Sequence, residues 1–156
     1  MGSYADDALF MSRNNIEYVE LISDDGKSKV MVIPAWQGRV MTTSAAGDEG
    51  DSYGWINYSF IKKRQIDLQF NPVGGEERFW LGPEGGVFSL YFRQGEKQIY
   101  KNWKVPPVLD IEAFKIQSQS KNCICLTKEG CLTNACGTTF YFCLLYTSDA
   151  ADDTPC

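Results

Sequence analysis

The run EYVELISDDGKSKVMVIPAWQGRVMTTS, residues 17–44, decides the fold that the sequence predicts. Apolar and polar residues alternate over 17–22, which is typical of a strand with one covered face. The Asp-Asp-Gly triplet at 24–26 is a hairpin-type turn, and the apolar run at 29–33 has the length of a strand. Residues 38–44 give a third strand. This stretch therefore predicts an antiparallel sheet.

A short amphipathic helix is expected before this sheet, over residues 3–14. Ser3 is a suitable N-cap, and Asp6 and Asp7 fall in the first turn, where the helix dipole favours anions. A second short helix is expected within 53–64, where apolar residues fall at helical spacing ahead of a basic triplet.

The remainder of the chain is expected to add strands to the fold. The strand-length runs after the second helix are 66–70, 78–81, 87–92, 113–119, 122–127, 130–134 and 138–145. Many short strands with turns every ten residues or so are typical of an all-β sandwich. We therefore predict a mainly β fold, a β-sandwich with one or two short helices.

Composition excludes several classes of function. The chain has 156 residues, a net charge of −5 and no histidine. An acidic chain has no electrostatic reason to bind nucleic acid. Its apolar runs are too short for a membrane span, and its first ten residues lack the pattern of a signal peptide. Without histidine, it lacks the commonest general base and metal ligand.

The last residues carry a second kind of signal. Residues 143–153, CLLYTSDAADD, resemble the in-frame translation of a transposase-based sequencing adapter. We expect 143–156 to be an artefactual tail that continues the last strand or lies in solvent; the alternative is a natural polar terminus. Removing it would take away three aspartates and no cation, changing the net charge from −5 to −2. Residues 1–142 would then be the amino-terminal part of a longer sandwich domain.

Residues 3–142 resemble a family of uncharacterised proteins, DUF6786, common in Bacteroidetes. The segments that carry the resemblance are SYADDALF at 3–10, 32–50, YGWIN at 53–57, GGEERFWLGPEGGVFSLYF at 74–92, WKVPPVLDIEAF at 103–114 and LTNACGTTF at 132–140. The family in turn resembles the galactose mutarotase-like β-supersandwich. That resemblance implies a carbohydrate-associated protein and a longer parent that is periplasmic or lipid-anchored. It implies aldose-epimerase-like activity only where the parent supplies a His and Glu pair.

The stretch 74–80 is the most informative candidate site. Glu77 and Arg78 can hydrogen-bond sugar hydroxyls, and Trp80 can offer an apolar face to a sugar ring. The alternative is a hairpin with a surface Glu-Arg pair and a core tryptophan.

Three further residues are candidate sugar ligands. Trp55 and Asn57 can line the mouth of a cleft, and Arg39 can reach a sugar from the third strand. The alternatives are a tryptophan that holds a short helix on the sheet and an arginine in a cross-strand ion pair.

Four cysteines before residue 142 are candidate metal ligands: Cys123, Cys125, Cys131 and Cys136. Zinc sites use tight Cys pairs at turns, whereas residues 123 and 125 share one face of a predicted strand. Free thiols are favoured over a disulfide or a metal site, and no cofactor is expected.

The candidate site residues and the family resemblance together predict sugar binding without catalysis in this chain. The alternative is a non-enzymatic surface sandwich that mediates protein contacts.

Overall fold

Two three-stranded antiparallel sheets form the framework of the chain, which was analysed as a computed structural model that describes residues 2–150. The first sheet has the order β1-β2-β3 and the second the order β4-β5-β6. The strands are β1 (Val19–Ile22), β2 (Lys29–Ile33), β3 (Arg39–Ser44), β4 (Lys115–Gln119), β5 (Cys123–Thr133) and β6 (Thr139–Asp149). The helices are α1 (Tyr4–Arg13) and α2 (Tyr58–Lys63). The prediction of a mainly β fold with two short helices is confirmed.

The first sheet is covered on both faces. Met31 and Ile33 of β2 pack in a cluster with residues of both helices, whereas Val30 and Val32 pack against the second sheet. Successive side chains of a strand point to opposite faces, so burial on both sides requires a continuous apolar run. This explains the apolar sequence at 30–33, and all five residues of β2 are buried.

Helix α1 begins at its predicted cap. The Ser3 hydroxyl accepts a hydrogen bond of 3.2 Å from the backbone N–H of Asp6, and the Asp6 carboxylate accepts one of 3.1 Å from the N–H of Ser3. This reciprocal pair is a capping box. Tyr4 and Met11 are fully buried in the cluster that covers the first sheet. The predicted helix at 3–14 is confirmed.

Within residues 2–150, the second sheet is covered on one face only. Its inner residues Ile124 and Leu126 are fully buried and share a cluster with Leu21 and Val32 of the first sheet. Along β6 the exposed residues alternate with half-buried ones, and the side chain of Tyr141 on the outer face is 83% exposed. The two sheets therefore meet through one shared core.

Three predictions of strands are wrong, those at 66–70, 78–81 and 87–92. The described chain between α2 and β4 has no strand, only two short 3-10 helices and isolated bridges. Its backbone groups bond one at a time to separate segments: the N–H of Lys104 donates to Tyr91, that of Val105 to Gln69, and that of Ala135 to Ser89. Aromatic side chains of this region pack together in one aromatic cluster. Aromatic residues are common in strands because they pack well against their neighbours, and here they do so without forming hydrogen-bonded strand pairs.

Two other boundaries also differ. The helix expected within 53–64 starts only at Tyr58, where Asn57 caps it, and residues 53–57 are not helical. The strands predicted at 122–127 and 130–134 are one continuous strand, β5, paired throughout with β6.

The segment from residue 143 continues the last strand. Cys143 pairs with Glu129, and the register extends to Asp149 opposite Cys123. Residues 151–156 lie outside the described part of the chain. Within residues 2–150, no helix has the length and hydropathy of a membrane span.

Candidate functional site

A cleft of about 320 Å³ opens beside the start of β3. It brings together four of the six predicted site residues, Arg39, Trp55, Glu77 and Arg78. The other two, Asn57 and Trp80, do not line it. The cleft wall is the loop from residue 70 to 78, which crosses over β3.

Two glycines let this loop lie against its neighbours. Gly74 and Gly75 have φ values of +98° and +110°, in the region that favours glycine. A Cβ at Gly74 would stand 2.1 Å from the carbonyl oxygen of Trp55, and one at Gly75 would stand 2.8 Å from Cδ of Arg39. Backbone N–H groups then donate from Gly75 to Trp55 at 2.8 Å and from Glu76 to Val40 at 2.9 Å. The close approach fixes the wall on the first sheet.

Arg39 lies at the floor of the cleft and is only 2% exposed. Its Nη1 donates a 2.7 Å hydrogen bond to the carbonyl of Gly74. Its Nε and Nη2 are buried and have no hydrogen-bond partner among the described residues. Burial, and then the charge of Arg78, lowers the pKa of Arg39 to about 10, so the side chain is still charged at neutral pH.

Arg78 stands above a buried carboxylate. Its Nη1 lies 3.7 Å from Oδ1 of Asp110, whose Oδ2 accepts hydrogen bonds of 3.0 and 2.7 Å from the backbone and side-chain nitrogens of Asn71. Burial raises the pKa of Asp110, while Asn71 and then Arg78 oppose that rise. Burial lowers the pKa of Arg78 for the same reason, because it disfavours the charged form of each side chain.

Trp80 supports Arg78 from the side of the aromatic cluster. The guanidinium carbon of Arg78 lies 3.7 Å from the centre of the Trp80 ring, a cation–π contact. The same indole packs 5.3 Å from the Tyr91 ring, and its N–H donates to Glu84 at 2.9 Å. Trp80 therefore orients Arg78.

Trp55 is the exposed aromatic of the cleft. Trp55 is 63% exposed, and its carbonyl accepts a hydrogen bond from the N–H of Gly75.

Asn57 has a structural role near the cleft. Its Oδ1 accepts from the N–H of Phe60 at 3.2 Å and its Nδ2 donates to the carbonyl of Pro72 at 2.9 Å. Asn57 thus ties α2 to the cleft wall.

Sequence reasoning missed Asp110 and Asn71. The available signal was the composition around Asp110, a carboxylate within the otherwise apolar run PPVLDI at 106–111. An aspartate in such a run is buried only when it is paired or hydrogen-bonded, so it points to a specific partner.

The cysteines do not converge on a site. In the described chain Cys123, Cys125, Cys131 and Cys136 form no disulfide; the first two are half-buried and the other two exposed. Within residues 2–150, no group of three or more His, Cys, Asp or Glu side chains is placed to hold a metal ion.

Comparison with known proteins gives a family but no function. The model of a family of unknown function, DUF6786, matches residues 2–145. No curated protein and no solved structure matches the chain.

Proposed function

Because the chain belongs to DUF6786, a family of unknown function, we propose its function from the cleft itself: the protein binds carbohydrate beside β3. One observation carries the proposal. The exposed indole of Trp55 lines the same cleft as Arg39, Glu77 and Arg78. Ligand sites combine an apolar surface with a few polar groups that fix orientation. A sugar ring needs both, since its faces carry C–H groups and its edges carry hydroxyls.

The cleft supplies binding groups rather than a complete acid–base pair. The chain has no histidine, and the buried carboxylate of Asp110 is held by Asn71 and faces Arg78. We therefore propose binding for this chain and reserve aldose-epimerase-like chemistry for a longer parent.

Two finer proposals belong with this one. We propose that the packed sheets are the first part of a galactose mutarotase-like sandwich, which the shared core between them supports. We also propose that residues 143–156 come from adapter sequence, supported by the CLLYTSDAADD match. The open reading frame from an independent assembly tests both. Further strands with a different sequence after residue 142 would support them, and the same 14 residues followed by a stop codon would contradict them.

Glycan-array screening followed by calorimetry on the whole chain tests the binding proposal. Trp55→Ala should weaken binding of a sugar about tenfold or more, because it removes the stacking surface. Tyr53→Ala is the matched control, since Tyr53 is 58% exposed and does not line the cleft. Absence of sugar binding, or equal effects of the two substitutions, would contradict the proposal.

One observation favours the alternative, a surface protein that mediates protein contacts. The outer face of the second sheet is open, with Tyr141 exposed opposite Cys131. Sedimentation over a range of concentrations distinguishes the two functions. Self-association that Tyr141→Lys abolishes and Trp55→Ala leaves intact would favour the contact function. A monomer at all concentrations would count against it.

A further inference from the structure

The buried side chains at the floor of the cleft carry more positive than negative charge, since both glutamates of the lining are exposed. Arg39 is 2% exposed, and the side chains of Arg78 and Asp110 are 20% and 4% exposed. Two guanidinium groups thus share one buried carboxylate, Asp110; the charge of Glu84 also acts on Arg78, but Glu84 is exposed and does not line the cleft. Burying an ion is costly unless it is paired and hydrogen-bonded, so a surplus buried cation calls for a further partner.

Hydrogen bonding shows the same surplus. Nε and Nη2 of Arg39 and Nη1 of Arg78 have no hydrogen-bond partner among the described residues. The oxygen of Asp110 that faces Arg78 lies 3.7 Å away, too far for a hydrogen bond. The other oxygen is occupied by Asn71. Three guanidinium nitrogens thus face one buried acceptor without a partner, Oδ1 of Asp110, among the described residues.

The two glutamates of the cleft wall do not remove this surplus. The Glu76 carboxylate accepts from the backbone and hydroxyl of Thr43 at 3.0 to 3.1 Å, so it is turned toward β3. Glu77 lines the cleft as an exposed side chain, and its charge also reaches the second sheet, where burial and then Glu77 raise the pKa of Tyr146 to about 12. The charges that act on Arg39 are those of Arg78 and Asp110.

We propose that the cleft takes an anionic saccharide, one whose carboxylate faces Arg78 while its ring lies on Trp55. This inference rests on the proposed carbohydrate binding and names its substrate class. Arg78 is the guanidinium that a ligand contacts directly, and Arg39 adds positive charge from beneath the surface. A planar guanidinium matches a carboxylate in geometry and in charge. The volume of about 320 Å³ lies at the small end of ligand sites, which suits a single sugar unit.

Calorimetry on the whole chain with three probes tests the inference: glucuronate, glucose and acetate. Glucuronate and glucose share the ring and differ in the charged group. Glucuronate should bind about tenfold more tightly than glucose, as expected for a charge-assisted hydrogen bond. Its binding should weaken as salt is raised, because the cleft is open to solvent.

Two variants test which charged side chains of the cleft determine the preference for glucuronate. Arg78→Gln should reduce the preference for glucuronate over glucose to about one, since it removes the cation that the carboxylate contacts. Asp110→Asn should raise affinity for glucuronate, since it removes the competing anion. If either variant does not fold, the comparison of the three probes and the salt series on the unsubstituted chain still decide the matter.

The outcomes separate this inference from the binding proposal. Equal binding of glucuronate and glucose would overturn the anionic preference and leave carbohydrate binding in place. Binding of acetate as tight as that of glucuronate, unaffected by Trp55→Ala, would overturn the saccharide. Failure of all three probes to bind would overturn the anionic saccharide site.

Discussion

The two sheets have the same number of strands and the same antiparallel order but differ in exposure. In the first sheet all five residues of β2 are buried, because helices cover one face and the second sheet covers the other. In the second sheet β6 alternates between exposed and half-buried residues along its whole length. The first sheet is thus an interior layer, and the second is an outer wall.

This difference explains where the candidate site is. The cleft loop docks on β3 through Val40, whose carbonyl accepts from Glu76. Arg39, at the start of the same strand, supplies the floor. A strand fixed on both faces holds side chains in place, as a binding site requires. The outer face of the second sheet has no such constraint.

The largest expected effect is the loss of stability when a buried leucine is replaced by alanine, compared with the same replacement at an exposed position. Leu21→Ala in β1 and Leu126→Ala in β5 remove fully buried side chains and should each lower the free energy of unfolding by about 3–5 kcal/mol. Leu145→Ala in β6 removes a side chain that is 62% exposed and should change it by less than about 0.5 kcal/mol. Urea denaturation measures all three. A loss at Leu145 as large as at Leu21 would show that the outer face is covered in solution.

The next effect tests how tightly the cleft wall is fixed to the first sheet. Gly75→Ala combines a positive φ with a Cβ placed 2.8 Å from Arg39, and should cost about 2–4 kcal/mol. Gly26→Ala is the matched control at φ +77°, with no atom within 4 Å of the added Cβ. It should cost about 1 kcal/mol, the conformational penalty alone. Equal losses would mean that the wall yields easily.

Sequence reasoning predicted the first sheet well because its signals are local. Alternation, the hairpin turn at 24–26 and the Ser3 cap each specify structure within a few residues. The region from 64 to 114 was predicted poorly for the opposite reason. Its aromatic residues have β propensity, but whether they form a strand depends on a partner strand that the sequence does not reveal.

The candidate site was partly predictable on the same grounds. Glycines followed by charged residues mark a polar turn, which led to Glu77 and Arg78. Asp110 lies 32 positions after Arg78 in the chain, and only the fold brings them together. The roles of Trp80 and Asn57 likewise follow from contacts with Arg78 and Pro72 that no local pattern encodes.

Alkaline pH should weaken both layers. Burial, and then a hydrogen bond to Asp7, raises the pKa of Tyr58 from 10.0 to about 12 on the first-sheet side. Burial, and then Glu77, raises the pKa of Tyr146 from 10.0 to about 12 on the second sheet. A raised pKa in the folded state favours the neutral phenol, so this contribution is complete below pH 10 and is lost as the pH rises toward 12.

Unfolding free energies measured at several pH values from 8 to 12 test this expectation. Tyr58→Phe should flatten the loss, since phenylalanine cannot ionise. Tyr146→Phe should flatten it in the same way on the second sheet. A profile that Tyr58→Phe and Tyr146→Phe both leave unchanged would contradict the assignment.

The smallest expected effect lies where the edges of the two sheets meet. Lys121 and Asp24 form an ion pair of 3.7 Å, with side chains 58% and 93% exposed. Exposed pairs contribute little, so Lys121→Ala should change the free energy of unfolding by less than about 0.5 kcal/mol. The junction is held instead by the 2.8 Å hydrogen bond from the N–H of Ile22 to the carbonyl of Lys121, which the substitution keeps. Thermal unfolding in low and high salt checks this. Lys121→Ala could instead lower the stability by more than this, and high salt could lower the stability of the unsubstituted chain by a similar amount. That pair of results would show that charge, rather than backbone pairing and the shared core, joins the interior sheet to the outer one.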